Sequence, residues 1–177
     1  MSEPMDEFMK LVQMLRESMI QTAWMVLHDV HDAEHALQDA LAIIWRRWSE
    51  IQRHPNPTAL ALRICADAAI AVLRRKSRLR RREVSDVTAE EPSASSADPL
   101  QQLASEELHR QILDAIGRMP AQQAAAALMR WIQEQPYAEI AAALGCSEAT
   151  ARKHVARGRQ RLSSLLKETA SATRTED

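Results

Sequence analysis

A cluster of cationic side chains near the C-terminal end of the chain has the clearest chemistry. Between positions 148 and 166, where Glu148 is the only acid, the cationic residues and the histidine are Arg152, Lys153, His154, Arg157, Arg159 and Arg161. Guanidinium and ammonium groups bind phosphate oxygens and donate hydrogen bonds to O6 and N7 of guanine, and Thr150 can contact a phosphate or a thymine methyl group. The pattern predicts a helix that binds duplex DNA.

A tight turn must position this helix. Residues 137–144 have the apolar spacing of a short helix. Gly145 tolerates the left-handed conformation that ends a helix, and Ser147 offers a side-chain oxygen that caps the next one. Val155 and Leu162 mark the inward stripe of the second helix. Two helices joined by a glycine-containing turn, the second one basic, indicate a helix-turn-helix whose second helix enters the major groove.

The charge is distributed unevenly along a chain whose net charge is only −1. Seven of the nine residues at 74–82 are Lys or Arg, whereas the segment 83–107 contains seven acids and no base. Seven cations exceed what the end of one helix needs for its dipole. The basic run therefore predicts a second surface that binds a polyanion, with a steep dependence on salt.

The composition favours helices throughout. The chain has 177 residues, only three glycines and few aromatic residues, and it offers little material for strands. We predict an all-α fold of two small helical domains joined by a flexible linker. The first domain, 1–83, has three helices that begin near Pro4, Asp32 and Thr58. Asp32 is the expected cap of the second helix, which is expected to run to about Ser49. The acidic, proline-bracketed segment 84–99 is the linker.

The second predicted domain is 100–169, followed by a disordered tail at 170–177. Its four helices are expected at about 100–117, 121–133, 137–144 and 148–166. Pro120 and Pro136 mark the starts of two of them.

The chain shows no sign of a metal centre or a disulfide. His28, His31 and His35 have the spacing of one helical face, but the aspartates among them favour a solvated turn between helices, so no metal is predicted. Cys65 and Cys146 are far apart and each stands alone. They fit buried small apolar residues in a reducing compartment better than a disulfide or a zinc site.

Several classes of function are disfavoured. The sequence has no glycine-rich phosphate loop and no nucleophile signature, so we expect neither an enzyme nor a cofactor nor a small-molecule substrate. No apolar run reaches the ~20 residues of a membrane span. The acidic N-terminus is unlike a secretory signal, and the expected location is the cytoplasm.

The helix that begins near Asp32 carries polar side chains that cannot all face a core. One interpretation is an ordinary amphipathic helix. The other is a docking face for a partner protein, with Leu41 and Trp45 as apolar anchors. Spacing alone does not choose between them.

The chain resembles a bacterial sigma factor of the extracytoplasmic-function group, which consists of region two, a linker and region four. Segments 32–41 and 61–76 resemble region two, and segment 119–162 resembles region four in the order and spacing of its motif. The resemblance implies that the partners are core RNA polymerase, promoter DNA and an anti-sigma factor.

The resemblance also assigns residues to roles. Those expected to bind polymerase are Glu34, His35, Gln38, Asp39, Leu41 and Trp45. Those expected at the −35 promoter element are Thr150, Arg152, Lys153, His154, Arg157 and Arg159. Those expected at the −10 element are Arg53, Asn56, Arg63, Asp67, Arg74, Arg75 and Arg78.

The sequence departs from the family in its −10-binding part. Asp67 and Leu60 stand where the family usually has Asn and Trp, and the 51–57 loop lacks an aromatic residue on which a base could stack. Two alternatives remain. One is a helix-turn-helix regulator that does not bind polymerase, which would have no need of the docking helix. The other is a sigma-like decoy that binds a regulatory protein instead of DNA, which would not need the basic helix.

Overall fold

The computed structural model describes residues 3–83 and 99–172. These residues form helices and no strand, which confirms the all-α class. In chain order the helices are α1 (Glu3–Leu27), α2 (Val30–Arg46), α3 (Trp48–Ile51), α4 (Pro57–Glu83), α5 (Pro99–Arg118), α6 (Ala121–Trp131), α7 (Tyr137–Leu144) and α8 (Glu148–Ala172).

In residues 3–83, which we call the N-terminal block, α1, α2 and α4 pack around an apolar core. Met19 of α1, Ile44 of α2 and Leu62 of α4 are almost completely buried in it. The capping residue of α2 was predicted wrongly. Asp29, rather than Asp32, is the N-cap, and its Oδ1 accepts a hydrogen bond from the Asp32 amide at 2.9 Å.

The predicted second helix ends three residues early, because the chain breaks at Arg47 and continues as the single turn of α3. The predicted 51–57 loop is shorter than expected, since Ile51 still belongs to α3 and Pro57 begins α4. Asn56 closes this loop, because its Oδ1 accepts a hydrogen bond from the Ala59 amide at 2.9 Å.

In residues 99–172, which we call the C-terminal block, α5, α6 and α7 pack against α8. Residues 124–127 of α6 are four consecutive alanines with at most 1% exposure. Their small side chains let neighbouring helices approach closely from several sides. Helix α8 continues to Ala172, beyond its predicted end at 166 and into the predicted tail, whose residues 173–177 lie outside the described residues.

Helix α4 belongs to the cores of both blocks. Leu73 shares an apolar cluster with Ile116 of α5 and Leu128 of α6. Near its other end, Ala59 packs into the cluster of α6, α7 and α8, which includes Met129. The predicted linker at 84–99 lies outside the described residues except for Pro99, which begins α5. The division into two independent domains stays a prediction.

A histidine pair lies where the turn after α1 meets α5. The rings of His28 and His109 lie 3.7 Å apart between centroids, and Trp24 stacks on His28. Burial, with a smaller contribution from His28, lowers the pKa of His109 below its usual range. Among the described residues, no group of three His, Cys, Asp or Glu side chains has the arrangement of a metal site. No described helix combines the length and apolarity needed to cross a membrane.

Gln133, just after α6, bridges the two blocks from a buried position. Its Nε2 donates hydrogen bonds to Thr22 Oγ1 at 3.1 Å and to Leu62 O at 3.0 Å. Replacing it with Leu keeps the volume but removes both bonds.

We expect Gln133→Leu to lower the free energy of unfolding by about 1–3 kcal/mol, since hydrogen bonds buried in the interface are lost. Urea denaturation of the full chain measures this change. The matched control is Gln122→Leu, because Gln122 is exposed on α6. Equal stability of the two variants would show that the bridge contributes nothing.

Candidate nucleic-acid interface

The turn between α7 and α8 has the predicted geometry. Gly145 lies in the left-handed region, with φ 65° and ψ 38°, and ends α7. The Thr150 amide donates to Ser147 Oγ at 3.2 Å, so Ser147 caps α8 as expected. The Thr150 hydroxyl lies 2.9 Å from the same oxygen. Val155 is buried on the inner side of α8, which leaves the opposite side of the helix exposed.

The cations predicted on α8 occupy different environments. Lys153, Arg157 and Arg159 are exposed. Arg152 forms an ion pair with Glu148, so its charge is partly neutralised. His154 is half-buried, and its buried Nδ1 lacks a hydrogen-bond partner.

Tyr137, at the start of α7, was not singled out from the sequence. The guanidinium carbons of Arg130 and Arg152 lie 5.1 and 4.4 Å from the centre of its ring. Such contacts hold the arginine planes over the aromatic ring. In the sequence, the only feature that could have pointed to Tyr137 was that an aromatic residue begins the helix-turn-helix.

The residues predicted for the −10 element are not all free. Arg53, Arg75 and Arg78 are exposed. Arg63, in contrast, donates from Nη1 to the carbonyl oxygen of Ala143 in α7 at 2.7 Å. Its Nε lies 3.4 Å from a carboxylate oxygen of Asp67.

Arg74 of α4 is also engaged by the C-terminal block. Its Nε donates to Gly117 O at 3.0 Å, and its Nη2 donates to Met119 O at 2.8 Å. The last carbonyls of a helix have no intrahelical partner, and a cation near the C-terminus also complements the helix dipole. Arg74 therefore caps the end of α5.

Two further polar groups of α4 lie at or near this contact. The Ser77 hydroxyl donates to Asp114 Oδ1 of α5 at 2.6 Å. Burial raises the pKa of the Asp67 carboxyl above its usual range, against the opposing effect of Arg63 and Arg74. Arg63, Asp67 and Arg74 form one electrostatic group facing the C-terminal block.

The residues predicted to bind polymerase lie on or beside one face of α2. Glu34, His35, Gln38 and Asp39 are exposed, and His35 Nδ1 lies 3.2 Å from Asp39 Oδ2. Of the predicted apolar anchors, Leu41 packs in part against the core. Trp45 is 42% exposed, with its ring edge-on to Phe8. The C-terminal block leaves this surface uncovered.

The expected burial is confirmed for Cys65 but wrong for Cys146, which is only half-buried; both are free cysteines. Cys65 is buried in the core, and its burial raises the pKa of its thiol to about 12. A thiol with so high a pKa is a packing group and a poor nucleophile.

Comparison with known proteins gives a family match in the C-terminal block. Residues 109–162 match the family described as Sigma-70, region 4. This match runs from the middle of α5 to Leu162 and contains α7, the turn and the part of α8 up to Leu162. None of the curated proteins matches the chain in sequence.

The fold is that of solved sigma factors. The sigma factor RpoE of Bartonella quintana, solved in complex with the anti-sigma factor NepR, is similar with a TM-score of 0.53 and 21% identity. The similarity covers 91% of this chain and 97% of that one. CnrH, solved in complex with the cytosolic domain of CnrY, is similar with a TM-score of 0.53 and 18% identity, over 91% of this chain and 88% of that one.

Proposed function

We propose that this chain is a sigma factor of the extracytoplasmic-function type and that it directs promoter-specific transcription. Its region 4 match and its helical fold support this proposal. It binds core RNA polymerase through α2, recognises the −10 element through α4 and reads the −35 element through α8. The observation that carries this proposal is the region 4 match over a capped helix-turn-helix with exposed cations.

Run-off transcription with core polymerase and genomic DNA fragments tests the proposed function. We expect discrete transcripts that require this protein and are absent with core polymerase alone. Duplex binding without any transcript would instead favour a regulator that does not engage polymerase. Absence of both activities would favour the decoy.

The exposed α8 cations support a division between base reading and phosphate binding. Lys153 lies near the start of α8, where side chains of a recognition helix meet base edges, and Arg159 lies further along. We expect Lys153→Ala to cost about 1–3 kcal/mol at the preferred −35 sequence and to relax discrimination there. Arg159→Ala should weaken binding to all −35 sequences equally. It should also lower the slope of log affinity against log salt concentration by about one.

Holoenzyme binding to a series of −35 variants, measured over a range of salt concentrations, separates the two effects. If Lys153→Ala weakened binding to every −35 sequence equally, Lys153 would be a phosphate contact and the base-reading assignment would be wrong.

The exposed polar face of α2 supports polymerase docking. Asp39→Arg reverses a charge at its centre and removes the contact with His35. We expect the affinity for core polymerase to fall about tenfold or more, with helicity unchanged, because the side chain is 56% exposed. Glu17→Arg, on the exposed side of α1, is the matched control. Unchanged affinity of the Asp39 variant would remove α2 as the docking face.

The contacts of Arg63 and Arg74 have a consequence for promoter binding. Both arginines are engaged by carbonyl oxygens of the C-terminal block, whereas the docking face of α2 is exposed. We call the described arrangement, in which the two blocks are in contact, the closed state. We propose that polymerase binds the closed state through α2, and that the two blocks then separate. Separation frees both arginines for DNA.

An anti-sigma factor is the proposed regulatory partner. The two similar structures were solved in complex with the anti-sigma factor NepR and with the cytosolic domain of CnrY. A partner that holds the two blocks together would prevent their separation. Because polymerase and the chromosome are cytoplasmic, the cytoplasm is the proposed location.

A further inference from the structure

Three arginines converge on a groove between α5, α6 and α8. Arg118 ends α5, and Arg157 and Arg161 lie one turn apart on α8. The groove has a volume of about 520 Å³, and its remaining lining residues are Ala115, Gln123, Gln160 and Ser164. We call this set the arginine groove. Arg118 and Arg161 have no role in the recognition of the −10 or −35 element assigned above.

The fold leaves these three cations without anionic partners. In the same block, Arg110 pairs with Glu107 and Arg152 pairs with Glu148. Among the side chains that the structure describes, no carboxylate lies within ion-pair distance of the groove's arginines, and the groove lining contains no acid. Like charges four residues apart on a helix are mildly destabilising. The cluster therefore does not serve the stability of the fold.

Gln123 supplies a second, independent observation. It is only 8% exposed, it lines the groove, and its Oε1 has no hydrogen-bond partner. The unpaired oxygen is an acceptor, and turning the amide over replaces it with the Nε2 donor, from which an anion can accept a hydrogen bond. Helix α6 begins beside it at Ala121 without a side-chain cap. The unpaired amides and the positive dipole end of that turn add to the attraction for an anion.

The lining residues determine which anion fits. Guanidinium groups bind phosphate oxygens by paired hydrogen bonds. None of the seven lining residues is aromatic, and Ala115 is the only apolar one, so a nucleobase would have no surface on which to stack. The lining therefore suits a phosphate group better than a nucleobase. Arg157 also belongs to the exposed face of α8 that is proposed to meet DNA.

We infer that the arginine groove binds a backbone phosphate of the promoter duplex beside the −35 element. This inference deepens the proposed function and rests on it. Arg118 extends the DNA contact from the helix-turn-helix to α5. The contact carries no sequence information, and it fixes the register of α8 in the major groove.

Holoenzyme binding to promoter DNA over a range of salt concentrations tests this inference with Arg118→Gln, Arg161→Gln and the double variant. We expect each single variant to weaken binding about tenfold, equally on all −35 sequences, and to lower the salt slope by about one. The control is Arg110→Gln, an exposed arginine of the same helix that is already paired. Changes no larger than those of the control, or altered discrimination between −35 sequences, would overturn the inference.

A second arm separates the two sources of a phosphate group. The melting temperature of the free chain is measured with tripolyphosphate and with ATP at equal concentration. We expect equal, small increases that disappear in the double variant. A much larger increase with ATP that depends on Arg118 would identify a free nucleotide as the ligand and overturn the duplex assignment. No increase with either anion would show that the groove does not bind phosphate by itself.

The two arms also distinguish failure of the inference from failure of the proposed function. If the wild-type holoenzyme does not initiate transcription, the proposed function fails, and the melting temperatures still report on the groove. If wild-type holoenzyme initiates and the variants bind like the control, only the groove assignment fails.

Discussion

The hydrogen bonds of Arg74 to the end of α5 lie at the centre of the structure. Gly117 and Met119 have carbonyl oxygens that the helix itself leaves without partners, and the Arg74 guanidinium accommodates both. Around this contact, Leu73 and Ile116 pack in one apolar cluster. This half-buried arginine contact joins the two blocks through polar groups as well as through apolar surface, so the relative position of α4 and α5 is specified.

Arg63 and Arg74 give α4 two mutually exclusive sets of partners. In the described arrangement, α4 donates hydrogen bonds to Gly117, Met119 and Ala143. In the proposed promoter complex, the same guanidinium groups bind phosphates, which offer stronger charge-assisted bonds than carbonyls do. In this proposal the equilibrium between the two states depends on polymerase, DNA and salt, and a partner that binds both blocks would shift it towards the closed state.

Local structure was largely predictable from the sequence because it depends on local chemistry. Gly145 and Ser147 occupy the expected capping positions, since few other residue types satisfy the ends of two adjacent helices. The error at the start of α2 has a simple cause. Asp29 and Asp32 both suit a helix N-terminus, and only the hydrogen bond between them shows which is the cap.

The long-range contacts were not predictable in this way. Gln133 looks like any polar residue near a helix end, and its partners Thr22 and Leu62 lie far away in sequence. Likewise, the basic pattern of residues 74–82 gives no sign that Arg74 caps a helix of the other block. For the same reason, the spacing of α8 revealed its exposed cations but not that Arg118 joins two of them in one groove.

The distance between the two blocks, free and in the promoter complex, tests the central claim most directly. Fluorescent labels at Ser49→Cys and Ser163→Cys, both exposed positions, would report it in a Cys146→Ser background, since Cys65 is buried. The account predicts efficient energy transfer in the free chain and a marked loss of transfer in a holoenzyme that has bound promoter DNA. Unchanged transfer in a complex that initiates transcription would contradict it.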